Sequence, residues 1–177
     1  MELNECLKGR RSIRKYSYKE IDKSVIEEIV SYAQLSPSWK NSQTCRFYGV
    51  ISEEGRRGVI NSLYEFNRER ASGASAFIIT TAVHGRSGFD ADGSHSTHLG
   101  DGFQYFDNGL AVENLLLKAY EMGFGTLIMG LYYEKELREL LSVPENEKIV
   151  SVIALGYADI SPEMPQRKEL DKVLKIL

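Results

Sequence analysis

The chain has 177 residues, of which 42% are hydrophobic and 27% are charged, and its formal net charge is −3. This length and composition predict one globular domain over residues 1–177, and they exclude a disordered chain, a collagen-like repeat and a disulfide-stapled miniprotein. A nucleic-acid binder would be strongly basic and a membrane span needs about 20 apolar residues, so we expect no nucleic-acid partner and no membrane partner. Two cysteines without a metal-binding spacing, and no secretory signal, favour free thiols in a reducing cytosol and thus a cytoplasmic protein.

The first half of the chain shows helical and strand periodicities in turn. Asp22 can cap a first helix, and Pro37 stops it. Ser52 can cap a later helix, one side of which has Ile60, Leu63, Tyr64 and Asn67. The predicted elements are helices over 2–9 and 22–35, a strand over 46–51, the helix after Ser52, and a strand over 76–83.

A long polar loop separates the two halves. It extends from His84 to Gly102 and contains five glycines, three histidines and three aspartates. Loops of this length are usually functional or disordered. The elements predicted beyond it are a helix over 105–122, a strand over 126–129, a helix over 134–141, a strand over 149–155, and an extended tail with a basic end over 167–177. Because helices and strands do not follow a strict βαβ alternation, we expect an α+β fold.

A basic segment near the start, Arg10–Tyr16, is the first candidate site. Arg10, Arg11 and Arg14 surround Ser12, and planar guanidinium groups with a nearby hydroxyl are suited to binding phosphate. The alternative is a solvated helix end, where basic side chains complement the helix dipole. Taken alone, the segment favours that alternative.

Two further segments could contact a flat ligand. Ser36–Gln43 is polar and contains the chain's single tryptophan, and its amide side chains can bond the edge of a heterocycle. Gly123–Gly130 is glycine-rich, and glycine lets a flat ligand approach the backbone closely. The alternatives are an ordinary loop for the first and a helix C-cap followed by a buried strand for the second.

The histidines of the polar loop, His84, His95 and His98, are a weaker candidate for a metal site. No third ligand has a familiar spacing, so we predict no metal. The sequence also contains no catalytic triad order and no phosphate-binding P-loop. If the protein is an enzyme, a cofactor is expected to supply the chemistry.

In this order and spacing, the segments resemble the FMN-dependent nitroreductase family over nearly the whole chain, and this resemblance reverses the interpretation of the basic segment. The resemblance implies the fold of that family, a three-layer α+β arrangement with a mostly antiparallel central sheet flanked by helices. The matching stretches are Arg10–Tyr16, Ser36–Gln43, Phe66-Asn67 with Arg70, Asp107 with Glu113–Leu117, Gly123–Gly130, and Ala154–Tyr157 with the basic tail.

The resemblance implies how the cofactor, FMN, would be bound at its phosphate end. Arg10 and Ser12 would hold the phosphate and the ribityl end, with Arg11 beside them. In the tail, Arg167 or Lys168 would help to neutralise the phosphate, and the match is loose by one residue.

The flavin ring has its own implied partners. Arg14 and Arg70 would lie near N1 and O2, where a cation stabilises the negative charge of reduced flavin. Asn67 would bond the pyrimidine edge, and the backbone N–H groups of Met129 and Gly130 would face N5 and O4. Some family members have an acidic residue at the position of Met129, so any role that depends on an acidic side chain there is absent from this chain.

The resemblance also implies a homodimer with two equivalent clefts at the interface and a C-terminal arm that wraps the partner. Four residues would reach the ring or the ribityl chain of the other subunit: Pro37, Ser38, Trp39 and Asn41. NAD(P)H would pass hydride to the flavin and leave, and an electron-poor acceptor such as a nitroaromatic or a quinone would follow in the same cleft by a ping-pong mechanism.

Two alternatives share this cleft: a relative specialised for reductive dehalogenation or flavin breakdown, and a non-catalytic FMN-binding dimer. The loop over 84–102 stands where the family often has a longer lid. The sequence therefore leaves the physiological acceptor and the choice between NADH and NADPH open.

Overall fold

A computed structural model describes residues 2–177 and has a five-stranded antiparallel sheet at its centre. The central strand β5 pairs with both β3 and β4, its last two residues pair with the short β1, and β2 pairs with β3. The strands are β1 (Tyr16–Ser17), β2 (Cys45–Val50), β3 (Ala76–Val83), β4 (Gly125–Met129) and β5 (Glu147–Ala158).

Six α-helices flank the sheet. They are α1 (Leu3–Gly9), α2 (Lys23–Ala33), α3 (Glu53–Asn61), α4 (Glu65–Ala71), α5 (Gly102–Glu121) and α6 (Glu134–Leu141). Within residues 2–177, no helix combines the length and the apolar character needed to cross a membrane. The predicted α+β class and flanking helices are confirmed.

The alternation of side chains along β3 explains the layers. Phe77 and Ile79 enter one core with Leu63 and Leu137, whereas Ile78 enters a second core with residues of α2 and α5. Successive strand residues point to opposite faces, so a strand that is apolar on both faces requires helices on both.

The helix predicted after Ser52 is two helices. Ser52 does cap α3, because its Oγ accepts a bond from the Gly55 N–H at 3.2 Å. The helix ends at Asn61 because the next residues pair with another segment: Tyr133 N–H donates to Ser62 O at 2.7 Å, and Tyr64 N–H donates to Leu131 O at 3.3 Å. Tertiary pairing has overridden the helical periodicity here.

Smaller differences concern element ends. The two-residue strand β1 was not predicted, and β5 extends beyond the predicted 149–155 at both ends. The helix α5 begins at Gly102 rather than 105, and its buried face includes Gln104, Asp107 and Asn108 as well as apolar residues. Asp22 occupies the cap position of α2 but makes no side-chain capping bond.

Phe77→Ala is expected to lower the free energy of unfolding by about 3–5 kcal/mol, because it leaves a cavity in the core against β3. Phe77 is 0% exposed, whereas Phe106 on α5 is 56% exposed. Phe106→Ala is therefore the matched control, with an expected loss below about 1 kcal/mol. Chemical denaturation measures both, and equal losses would contradict this assignment of the core.

Candidate functional site

The basic segment is extended and lies along β4. Ile13 N–H donates to Thr126 O at 2.8 Å, and Ser12 and Thr126 form a parallel bridge. Side chains of an extended segment alternate in direction. Because Ile13 turns into the core at 6% exposed, Arg10, Ser12 and Arg14 share the opposite face.

These side chains meet the C-terminal tail around a cavity of about 150 Å³. Four arginines and Ser12 line it, against one acidic residue. Its lining residues are Arg10, Arg11, Ser12, Arg14, Pro162, Glu163, Pro165 and Arg167. We call it the arginine pocket. The donor set is that of a phosphate site, since guanidinium groups bind phosphate oxygens through paired N–H bonds.

The individual members of the pocket differ in how freely they could bind an anion. Arg10 makes only a loose contact with Glu113, with Nε to Oε1 at 3.8 Å. Arg11 is committed elsewhere, because its Nη1 donates to Lys8 O at 2.7 Å and to Arg10 O at 2.8 Å. Of the two tail candidates, Arg167 lines the pocket and Lys168 is not among its lining residues.

A second group of predicted residues meets where β4 ends. Asn67 on α4 is 5% exposed, and its Nδ2 donates to Leu131 O at 3.2 Å. This bond places α4 beside Gly130, which is exposed and has open space where a Cβ would lie. Arg70 lies one turn further along α4 with its guanidinium 5.1 Å from the centre of the Phe66 ring. Met129 is buried in a core cluster, so its side chain is not available to a ligand.

The segment Ser36–Gln43 has an unusual backbone. Lys40, Asn41 and Gln43 have φ values of 47°, 53° and 47°, in the left-handed region. A non-glycine residue in this region costs roughly 1 to 2 kcal/mol, less for asparagine. The segment is therefore strained, and other contacts must hold its shape.

Several polar contacts hold the segment, including a bond from Arg46 Nη1 to Gln43 O at 2.8 Å. Trp39 N–H donates to Asp107 Oδ2 at 3.0 Å, and Gln43 N–H donates to Ser38 Oγ at 3.0 Å. Lys40 Nζ lies 3.3 Å from Asp90 Oδ1 at the surface. Within residues 2–177 the structure thus ties the segment to α5 and the polar loop, and does not place it at the arginine pocket.

From the sequence, Asp107 was identified only as part of a family motif, and its bond to Trp39 N–H was not predicted. The presence of Glu163 in the arginine pocket was not predicted either. For Asp107 a signal existed, because an acidic residue on the buried face of a helix must find a hydrogen-bond donor. No comparable signal marks Glu163.

Two of the three histidines of the polar loop, His84 and His95, pack against an aromatic ring. The Phe89 ring centre lies 4.7 Å from that of His95 and 5.6 Å from that of His84. Among residues 2–177, no three His, Cys, Asp or Glu side chains are grouped in a way that could hold a metal ion.

The residues present fit FMN, the group that the resemblance implies. The arginine pocket offers guanidinium and hydroxyl donors for a phosphate, and it lies on the segment that borders β4. At the other end of β4, the open space over Gly130 lets a flat ring approach the backbone.

Comparison with known proteins agrees with this arrangement. The nitroreductase family model matches residues 7–157. A protein of Archaeoglobus fulgidus, provisionally named an NADH dehydrogenase/NAD(P)H nitroreductase, is 35% identical over 88% of this chain and 86% of its own length. The NADPH-flavin oxidoreductase of Vibrio harveyi is 27% identical over 92% of this chain and 68% of its own length.

A crystal structure from Exiguobacterium sibiricum, described provisionally as a nitroreductase in complex with FMN, has the same fold. It superposes with a TM-score of 0.85 at 23% identity, covering 100% of this chain and 98% of that one. The family match spans the basic segment, the strained segment and β4, and it ends at Tyr157 in β5. A chain with this sheet, this arginine pocket and this match belongs to the nitroreductase family.

Proposed function

We propose that the protein is an FMN-dependent oxidoreductase that passes hydride from NAD(P)H to an electron-poor acceptor such as a nitroaromatic or a quinone. The observation that carries this proposal is the arginine pocket, which offers phosphate donors on the segment bordering β4. Family membership supports the same activity, as do the names of the relatives in Archaeoglobus fulgidus and Vibrio harveyi.

The chain's own residues bind and orient the cofactor. Arg10, Ser12 and Arg167 hold the phosphate end, because they line one pocket. Arg14 lines the same pocket and keeps its implied place near N1 and O2 of the ring. Lys168 would assist only from outside that pocket, and Arg11 acts mainly by holding the backbone of the segment. When bound, FMN supplies the hydride chemistry.

The ring end of the cofactor lies beside α4 and the end of β4. Asn67 donates one Nδ2–H to Leu131 O and offers its Oδ1 and its second N–H to the pyrimidine edge. The backbone of Met129 and Gly130 offers N–H groups, and Arg70 offers a cation near N1 and O2. A fixed positive charge there favours the reduced form of the flavin.

No side-chain nucleophile is needed for this reaction. The thiol nearest to the strained segment, Cys45, is protonated at neutral pH, because burial and the nearby Asp107 carboxylate raise its pKa to about 11. Thiols react as thiolates, so Cys45 is not expected to act as a nucleophile. Both cysteines are free thiols in the structure, which agrees with the reducing cytoplasm that we propose.

The protein is further proposed to act as a homodimer in which Ser36–Gln43 reaches the cofactor of the partner. Two apolar surfaces support this. The tail exposes Leu170 and Val173, each 67% exposed. The other surface has Leu3 on α1, 65% exposed, and Leu35 just after α2, 75% exposed. Exposed apolar surface of this extent is typical of protein interfaces.

Anaerobic reduction tests the proposed function. Purified protein is expected to be yellow and to release FMN on denaturation, NADH or NADPH should bleach the colour without oxygen, and a nitroaromatic or a quinone should restore it. Protein that takes up no added FMN would contradict the cofactor assignment. Protein that binds FMN but is bleached by neither nicotinamide would be a flavin binder without this activity.

A further inference from the structure

Asp107 is a buried carboxylate with two hydrogen-bond donors on a single oxygen. Its Oδ2 accepts from Trp39 N–H at 3.0 Å and from Ser87 Oγ–H at 2.6 Å. The residue is 2% exposed, and within residues 2–177 no Lys, Arg or His side chain forms an ion pair with it. A buried charge without a counter-ion is unfavourable unless such donors compensate it.

We propose that Asp107 is a positioning residue that holds Ser36–Gln43 in its left-handed conformation and fixes it to the polar loop through Ser87. The segment needs an external restraint, because three of its residues have φ values near 50°. The bond from Gln43 N–H to Ser38 Oγ is internal to the segment and cannot anchor it to the rest of the protein.

The other contacts to the segment are weaker or more local restraints than Asp107. Arg46 Nη1 donates to Gln43 O at 2.8 Å, but Arg46 is exposed and only three residues further along the chain. The pair of Lys40 and Asp90 has side chains that are 66% and 49% exposed, and surface ion pairs of this kind contribute little. The Trp39 ring packs on Phe103, with ring centres 4.6 Å apart, which fixes the ring rather than the backbone. Asp107 bonds the backbone directly, and an ionised acceptor makes a stronger bond than a neutral one.

The importance of this position rests on the proposed function, in which Ser38, Trp39 and Asn41 contact the partner's flavin. If Asp107 sets the backbone of the segment, its loss displaces all three contacts at once without touching the cofactor. The arginine pocket would be unaffected, since Asp107 is not among its lining residues.

The experiment uses Trp39 as its own reporter, because it is the chain's single tryptophan. In flavin-free, full-length protein, Asp107→Ala is expected to shift the Trp39 emission to longer wavelength and to increase its quenching by acrylamide. FMN affinity should then fall about tenfold, as expected for losing several polar contacts together. Asp107→Asn should restore most of both signals, because its amide oxygen can still accept from Trp39.

Asn108→Ala is the matched control. Asn108 is the next residue of α5 and is 1% exposed, but it bonds Thr80 and Thr81 on β3 instead of the segment. It should lower thermal stability while leaving the Trp39 emission unchanged and FMN affinity within about twofold. An Asp107→Ala protein that matches Asn108→Ala in emission and FMN affinity would overturn the proposal.

If Asp107→Ala does not fold, the proposal is tested by amide hydrogen exchange on the wild-type protein and the Asp107→Asn variant. The Trp39 amide should be protected in the wild-type protein and should lose about fivefold protection in Asp107→Asn, because a neutral acceptor is weaker. An unprotected amide, or equal protection in both proteins, would overturn the proposal. If the protein binds no FMN, the proposed function fails, and the Trp39 signals of flavin-free protein still decide the role of Asp107.

Discussion

Arg10→Ala is expected to weaken FMN binding by about 100-fold, because charge-assisted bonds to phosphate contribute up to about 3 kcal/mol and 1.4 kcal/mol is a factor of ten. Arg10 is the best placed member of the arginine pocket, since only the loose contact with Glu113 at 3.8 Å competes for it. Equilibrium titration of flavin-free protein, followed by flavin fluorescence, measures the affinity.

Riboflavin separates a phosphate contact from a general loss of structure. It lacks the phosphate, so its affinity should change by less than about threefold in the same variant. Arg57→Ala provides the charge-matched control, because Arg57 is exposed on α3 and is not among the pocket residues. Equal losses for FMN and riboflavin would show that Arg10 acts on the fold and not on the phosphate.

A chain that ends at Lys168 is expected to dimerise at least about 100-fold more weakly, because each buried Leu or Val contributes about 1.5 kcal/mol or more. The truncation keeps Arg167 in the arginine pocket and removes Leu170, Val173, Leu174 and Ile176, which are between 49% and 85% exposed in the single chain. Sedimentation equilibrium measures the dissociation constant of the dimer.

The control for this truncation keeps the apolar residues and changes only charge. Lys172→Gln with Lys175→Gln should leave the dissociation constant within about threefold, since exposed charges contribute little. A truncated chain that dimerises as tightly as the full chain would exclude the tail from the interface. A full-length chain that is monomeric at micromolar concentration would contradict the homodimer itself.

Much of the fold could be predicted from local pattern alone. The run Ala76–Val83 is rich in apolar and β-branched residues, and it forms β3 with the predicted bounds. The helix over 134–141 is likewise found with its predicted bounds as α6. Such elements are predictable because their periodicity records which face is buried, and burial is the largest favourable term in folding.

What the sequence could not predict depends on contacts between distant residues. The break at Ser62–Tyr64 arises from pairing with Leu131 and Tyr133, about 70 positions away, and no local signal marks it. Single-sequence patterns report the local environment of a segment, so a tertiary pairing that ends a helix is not visible to them.

In the candidate site, too, some features could be predicted from local sequence and others depend on contacts between distant residues. The phosphate-binding role of the basic segment could be predicted only together with the other family motifs, because taken alone its basic side chains also suit a solvated helix end. The meeting of this segment with Arg167, more than 150 positions later, is a property of the fold. The strain at Lys40 and Asn41 was also not predictable, since neither residue type demands a left-handed backbone.

The docking of the basic segment along β4 has a consequence for aggregation. An open sheet edge presents unpaired N–H and C=O groups that can recruit another chain. In this protein β4 lies at one edge of the sheet, and Ile13 N–H already donates to Thr126 O on that strand. The residues that flank the arginines therefore cover part of the β4 edge, whether or not a ligand is bound. At the opposite edge, β2 has the exposed charge of Arg46, a common protection against edge-to-edge association. Loss of the cofactor should therefore reduce activity without exposing an adhesive strand.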